Sequence, residues 1–572
     1  MNLTVFTGPD SSANLTELFK RTPLRRGPIC AVVPDAHSVT AMQKWLAGLT
    51  GDAFLGHRVY TFESITREIL SLDGNPPGVI RGYIKRAILA EIVKSRIGAQ
   101  SNFFSISSYP GFISLLVSFL EEVRSRSDGR VSGEPDLVSI AAAYESHLAR
   151  LGYNDHEGLV TSALEGDRIE RFSASFQGSL IVDGFYDLTG KQFELLERLI
   201  RCFSRCSITV VNDPVRPLLF NIPAELLLRY QSIGARICEV KPDSLPTAGK
   251  VFSGFMGGNY PSRGEPEDVQ IHTFRSDISE AEWIAGTIRS LLAGGTCEPG
   301  DIMVVSRYPH GFASSLEVAL RIFDIPVQGG FARALITCPV VRLALNALEA
   351  SIYPDKEEIL SGVQKSSYTG DMQTEERYPL EGFDDRGWSC MIADVDSPEG
   401  YVTSLKNMLE VLGVRGNLDG MGNREQALSE TASFVRLRKL LDEFAEIYYP
   451  FNKMMRANEF QRLLLQFLGR VAIPDSPPPA GGVMVVDVNH ARYIRRDVVF
   501  LTGLDDSSFP AHDLHYSLHD GDIARELRAH REAEEPLLFY MASQGAQQLF
   551  LTFPGIDDEG SDNAMSPYLR EI

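Results

Sequence analysis

Positive charge is in short supply in this 572-residue chain. Lys and Arg number 55 against 75 Asp and Glu, a formal net charge of −20 at pH 7. That balance excludes a uniformly basic coat, though a basic channel can still lie within an acidic body. Long apolar runs are missing too. No stretch reaches the ~18 residues of a membrane-crossing helix. The opening MNLTVFTGPDSS has no basic segment ahead of a long apolar one, so no secretory leader is expected. The seven cysteines are scattered; only Cys202 and Cys206 lie close together. No CxxC pair or Cys/His cluster has zinc spacing, so buried thiols in a reducing cytoplasm are expected, and no metal site. What is present is an ordinary globular balance, 44% hydrophobic and 23% charged. At ~150 residues per domain, the length suggests about four domains.

Apolar runs alternate with helical periodicity at the start. Leu3 to Phe6, Ile29 to Val33 and RVYTF each precede an amphipathic stretch. Strands alternating with helices at this spacing predict a parallel sheet covered on both faces. From about Val79 to Arg168 the periodicity is helical throughout, then strands return at GSLIVDGF and CSITVVNDP. Gly, Pro and Ser gather between Pro242 and Glu265, as in a linker. A second α/β set opens at VQIHTF and continues through DIMVVSR. It is interrupted by helical sequence from about Cys338 to Val471, and resumes at GVMVVDV, DVVFLTGL and QLFLTF. The fold class is thus α/β, with two parallel sheets each interrupted by a helical insertion.

A phosphate-binding loop needs glycines to bring N–H groups to the phosphates, a Lys to neutralise them and a Ser or Thr for magnesium. In GPDSSANLT, Gly8 stands at the first glycine, but Ala13, Asn14 and Leu15 replace Gly-Lys-Ser/Thr. Thr16 is the hydroxyl that could shift into the metal-ligand role, with no Lys beside it. An ordinary strand-to-helix turn is the plainer reading. In LIVDGFYDLTGKQFELL an apolar strand ends in Asp183, where a magnesium-associated carboxylate would sit.

These stretches together resemble UvrD-type helicases. Asp183, Phe185, Asp187 and Gln192 match the pattern Val-Asp-Glu-Phe-Gln-Asp-Thr and its following Gln. Gly184 replaces the Glu that activates water, and Tyr186 the first Gln; glycine cannot accept a proton. In VVNDPVRPLLF, Asp213 matches a Gly-Asp-x-x-Gln pattern in which Asn212 and Arg216 replace the Gly and the nucleotide-sensing Gln. Arg307 falls where the family has an arginine reaching the phosphates from across the cleft; a surface or ion-paired arginine is the alternative. VNHARYIRRDVVFLTGLDDSSFPAH resembles a long second-lobe motif. Ala491, Val499, Phe500, Leu501, Gly503, Leu504, Asp505, Asp506, Phe509 and Pro510 match it. Arg492 replaces a Lys, and Arg495 stands where a Glu would touch the nucleotide sugar. The closing arginine finger falls at Gln544 or Gly545, neither of which can stabilise phosphoryl charge as Arg does.

VYTFESITREIL, LIVDGFYDLTGKQFELLERL and YIRRDVVFLTGLDDSSFPAHDLHYSLHDGD are most similar to AddB-type subunits of helicase–nucleases, with RexB and RecC more distant. The resemblance implies two RecA-like (P-loop NTPase-type) domains: 1–78 with 169–245, and 269–337 with 480–572. It implies helical insertions at 79–168 and 338–479, and a linker at 246–268. It further implies a motor partner of the AddA type and contact with single-stranded or duplex DNA. Candidate DNA contacts are Thr61 and Phe62 in the first lobe and Arg492, Arg495 and Arg496 in the second, since phosphates need cations and unstacked bases need aromatic platforms. Core packing for the aromatic, and a solvated loop for the arginines, are the plainer alternatives. The family's nuclease domain and iron–sulfur cluster normally follow near SPYLREI, so neither is expected within these residues. Gly8, Thr16, Asp183 and Arg307 form a degenerate nucleotide site that leaves weak ATP/Mg²⁺ binding open. A DNA-holding scaffold, a working ATPase with an unusual loop, and a docking module that never touches DNA are the three readings.

Overall fold

The computed structural model describes residues 2–22, 27–50, 56–74, 76–127, 129, 131, 134–176, 178–241, 255–256, 268–307, 309–328, 332–369, 392, 395–451, 454–474, 481–491, 494–511, 518–519, 521–543, 546–556 and 560–572. The first sheet collects β1 (Asn2–Gly8), β2 (Ile29–Val32), β3 (Arg58–Tyr60), β6 (Ser179–Val182), β7 (Arg205–Val211) and β8 (Arg236–Glu239). Short ribbons pair β4 (Gly78–Val79) with β5 (Tyr153–Asn154), and β12 (Ala332–Ala334) with β13 (Ala472–Pro474). The second sheet holds β9 (Val269–Phe274), β10 (Ile302–Ser306), β11 (Val327–Gln328), β14 (Val483–Asp487), β15 (Val498–Thr502) and β16 (Gln548–Pro554). Strand order is β3-β2-β6-β7-β1-β8 in one sheet and β11-β14-β10-β15-β16-β9 in the other. Every pairing in both six-stranded sheets is parallel. The α/β class with parallel sheets, expected from the alternation of runs, is what the chain adopts.

Central strands such as β2 (Ile-Cys-Ala-Val) and β10 (Ile-Met-Val-Val-Ser) are buried at every position. Continuous apolar strands of this kind need helices on both faces. In the first lobe, α1 (Ser11–Arg21) and α2 (Ala36–Thr50) supply Leu18, Phe19, Met42 and Leu46 to one side, while α3 (Phe62–Ser71) contributes Ile65 and Ile69 to the other. Helices α4 (Gly82–Arg96), α5 (Pro110–Ser125) and α6 (Pro135–Leu151) leave the sheet as a helical body. By contrast α7 (His156–Leu164) and α8 (Arg168–Ser175) return to the sheet. Their Leu159, Ala163, Ile169 and Phe172 share its core with Leu195 and Leu199 of α9 (Gly190–Cys202). In the second lobe, helices Pro339–Ile352, Pro398–Val411, Arg424–Tyr448 and Ala457–Leu468 form the corresponding helical body. None of the described helices is long and apolar enough to cross a membrane.

Candidate nucleotide cleft

The carboxyl end of the first sheet opens on a cavity of about 360 Å³, lined from the first lobe by Ser11, Asn14, Asp183 and Gly184 and from the second by Arg495 and Arg496, which lie just ahead of β15. Crevices outside strand carboxyl ends are where open α/β sheets bind ligands.

The loop after β1 is short. Pro9 and Asp10 are all that separate Gly8 from α1, whose N-cap is Asp10. The Asp10 carboxylate accepts hydrogen bonds from the N–H groups of Ser12 (2.7 Å) and Ala13 (3.1 Å). A helix N-terminus is an anion site because its first N–H groups lack partners; here the chain's own carboxylate takes them. Asn14, in the lysine position, is fully buried. Its amide donates to the carbonyls of Gly8 (3.0 Å) and Val210 (3.3 Å), tying α1 to β1 and β7. Gly8 itself is demanded by packing, since a Cβ there would lie 2.3 Å from the Val240 carbonyl oxygen. Thr16 is half-buried on α1 and does not line the cavity.

Asp183 follows β6 and lines the cavity, accepting a short hydrogen bond from the Thr209 hydroxyl. Burial pushes its carboxyl up to about 6, against the pull of the Thr209 hydroxyl, Arg495 and the Gly184 backbone. Gly184 has φ +87°, a left-handed conformation that costs a side-chain-bearing residue roughly 1–2 kcal/mol. The backbone at this position therefore disfavours the missing glutamate as well as lacking it.

From the second lobe, Arg495 reaches across and donates to the Ser11 hydroxyl. Burial lowers the pKa of this guanidinium, opposed by Asp10, Tyr540 and Asp183. Arg495 therefore faces the cavity from within the chain. Arg496 also lines the cavity and donates to the Arg495 carbonyl (2.8 Å). Arg307, after β10, points elsewhere: it forms a two-pronged ion pair with Glu535 (2.7 and 3.3 Å), whose Oε2 also accepts the Ala511 N–H (3.1 Å). Arg216 is only 2% exposed. It pairs with Asp213 (2.9 Å), stacks on the Tyr540 ring (4.7 Å to its centroid) and donates to the Tyr540 hydroxyl (3.1 Å).

Of the DNA candidates, Thr61 is the N-cap of α3, its hydroxyl accepting from Ser64 N–H (3.2 Å). Phe62 is 8% exposed and packs edge-on against Phe185 (5.1 Å). Both line a separate hollow of about 480 Å³ with Lys191 and Gln192. Arg492, Gln544 and Gly545 lie outside the described residues. The structure thus brings Asp183 and Arg495 into one cavity and leaves Thr16, Arg307, Thr61 and Phe62 elsewhere.

Sequence reasoning missed Asp10, Thr209, Glu535 and Tyr540. Only Asp10 carried a local signal, an acidic residue just ahead of a helical pattern. What the described residues offer a triphosphate is a helix end already occupied by a carboxylate, an amide in place of the lysine and an arginine already held by Glu535. These groups do not fit Mg²⁺–ATP. Among the described residues no group of three or more His, Cys, Asp and Glu could hold a metal ion.

No family model matches the chain. Individual proteins do. Over 100% of its length the chain is 20% identical to the AddB subunit of the ATP-dependent helicase/deoxyribonuclease of Listeria welshimeri, covering 59% of that protein. Over 95% of its length it is 22% identical to the protein of the same name from Pelotomaculum thermopropionicum and 20% identical to that from Listeria innocua, covering 56% of each. The chain thus spans somewhat under three-fifths of the curated relatives it matches. Along essentially its whole length it is a homologue of the AddB subunits of ATP-dependent helicase/deoxyribonucleases, in agreement with the resemblance of its motifs.

Proposed function

We propose that this chain is the helicase-like, DNA-holding part of a helicase–nuclease complex acting in cytoplasmic double-strand break repair, with a nucleotide site that no longer hydrolyses ATP. Each six-stranded sheet is read as a RecA-like domain, comprising residues 1–78 with 169–245 and 269–337 with 480–572. Residues 79–168, whose last helix α7 packs back on the first sheet, and 338–479 are their insertions, and 246–268 the linker. A motor subunit of the AddA type supplies the ATP-driven movement, and this chain guides the strand. No nuclease step is assigned to these residues.

One observation carries the reading. The Asp10 carboxylate occupies the first N–H groups of α1 while Arg495 of the other lobe enters the same cavity. A hydrolytic site would need those N–H groups for phosphate and a lysine at Asn14. The surrounding framework is kept and the engine's parts are spent on internal contacts, which supports a scaffold over a motor. DNA contact is assigned to Thr61 and to Arg492. For Phe62, Arg495 and Arg496 it would require withdrawal from the packing described above.

The test is fluorescence anisotropy with a labelled single strand across a salt series. The scaffold reading expects saturable binding whose log affinity falls steeply and linearly with log salt, because phosphate contacts release counterions. No binding at any salt would leave only the docking module.

A further inference from the structure

We propose that the two lobes and their two helical bodies close into a ring of four packed units, so that the chain holds one fixed inter-lobe geometry instead of opening and closing around the cleft. The inference goes beyond the proposed function and does not depend on DNA binding.

Two domains joined by a linker move relative to one another unless their interface is large and hydrophobic. Here two separate interfaces are of that kind. The first lies at the strand ends. Val211, Leu219, Phe220 and Ile222 of the first lobe belong to the same buried cluster as Leu504, Phe509, Leu537 and Tyr540 of the second. Tyr540, on the long helix Gly521–Ser543, meets Phe220 edge-on (5.3 Å), stacks on Arg216, and donates to the Pro9 carbonyl (3.3 Å). Tyr186 donates to Glu534 of the same helix, and Asp187 pairs with His530 (3.2 Å).

The second interface joins the helical bodies, whose buried residues from Ile80 to Leu148 and from Leu335 to Val471 form a single cluster. Tyr83 of α4 packs edge-on against Phe467 (4.9 Å), donates to Glu443 (2.6 Å) and accepts from Arg436 (2.9 Å). His147 of α6 stacks on Phe451 (4.2 Å), and Tyr153 donates to Glu446 (2.9 Å).

Each helical body is also covalently continuous with its own sheet at both ends. A rotation about the strand-end interface must therefore slide α4 and α6 over the helix Arg424–Tyr448, and the reverse holds too. Close-packed interfaces switch between discrete arrangements and do not deform gradually. The contacts described supply one arrangement.

The test is the inter-lobe distance distribution from pulsed electron resonance, with spin labels carried by an unnatural ketone amino acid at the exposed positions Lys20 and Arg321. The parent chain is expected to give one narrow distribution, unchanged by Mg²⁺–ATP or by a single strand of DNA. A broad, two-peaked or ligand-shifted distribution overturns the fixed frame. Tyr540→Ala and Tyr83→Ala weaken one interface each. Either alone is expected to stay narrow, and the pair together to broaden. A double variant as narrow as the parent overturns the role given to these two interfaces, and a single variant as broad as the double overturns their independence. Loss of DNA binding with the narrow distribution retained would fall on the proposed function alone.

Discussion

Replacing Arg216 by alanine removes the cation that stands where the family's pattern has a nucleotide-sensing glutamine. Arg216 and its partner Asp213 are 2% and 4% exposed, and their N–O contact is 2.9 Å. Removing one member of a buried pair leaves the other charge uncompensated, at a cost of about 3–5 kcal/mol. The loss also strips the stacking on Tyr540 and the hydrogen bond to its hydroxyl, which belong to the same cost and are not added to it. Asp213→Ala should cost a similar amount. Asp213→Ala with Arg216→Ala together should cost clearly less than the sum, with a coupling of roughly 2–3 kcal/mol, because neither charge is then stranded. The assay is urea unfolding followed by tryptophan fluorescence, with Trp45 in the first lobe and Trp283 in the second. Single substitutions costing under about 1 kcal/mol and adding linearly would refute the reasoning. They would return Arg216 to the groups available to a ligand.

Two further outcomes follow from the same geometry. Glu280 is fully buried, accepting from the Thr552 hydroxyl and Gly503 N–H (3.2 Å), and burial pushes its carboxyl up to about 7 from 4.5. The folded state thus holds the proton that the unfolded state releases, and stability falls as pH rises from about 4.5 to 7, by about 3 kcal/mol at ~1.4 kcal/mol per pH unit. Glu280→Gln should therefore gain stability relative to the parent between pH 5 and pH 8, measured by denaturant midpoints; an equal difference at both pH values would contradict it. Gly184→Glu should lower stability by about 1–2 kcal/mol through its φ of +87° and gain no phosphate release in a coupled assay, since the lysine position is still Asn14. Measurable turnover would show the cleft to be one substitution from activity.

The sheets were legible because their strands are short, apolar and evenly spaced with helices, and parallel sheets demand that pattern. The return of α7 and α8 to the first sheet was less visible, because helical periodicity does not say which core a helix serves. At the site, Asn14 and Gly184 could be seen as losses, and Asp183 as a retained carboxylate, from position alone. What replaced the lost functions could not. Arg495 meets Ser11 across 484 residues of chain, and Arg216 meets Tyr540 across 324; no local pattern encodes such pairings. Arg307 kept the family's residue but is held by Glu535, 228 residues away. Asp10 was readable in principle, since an Asp just before a helical run is a capping signal; the glycine two residues earlier, at the start of a phosphate-loop pattern, is the louder signal and masks it.

The central claim is that this motor-like architecture has no working engine, and isothermal titration with ATP tests it most directly. With magnesium present and the cleft intact, the account predicts no saturable heat and no phosphate release. Tight, magnesium-dependent binding that displaces Arg495 and is followed by turnover would contradict it.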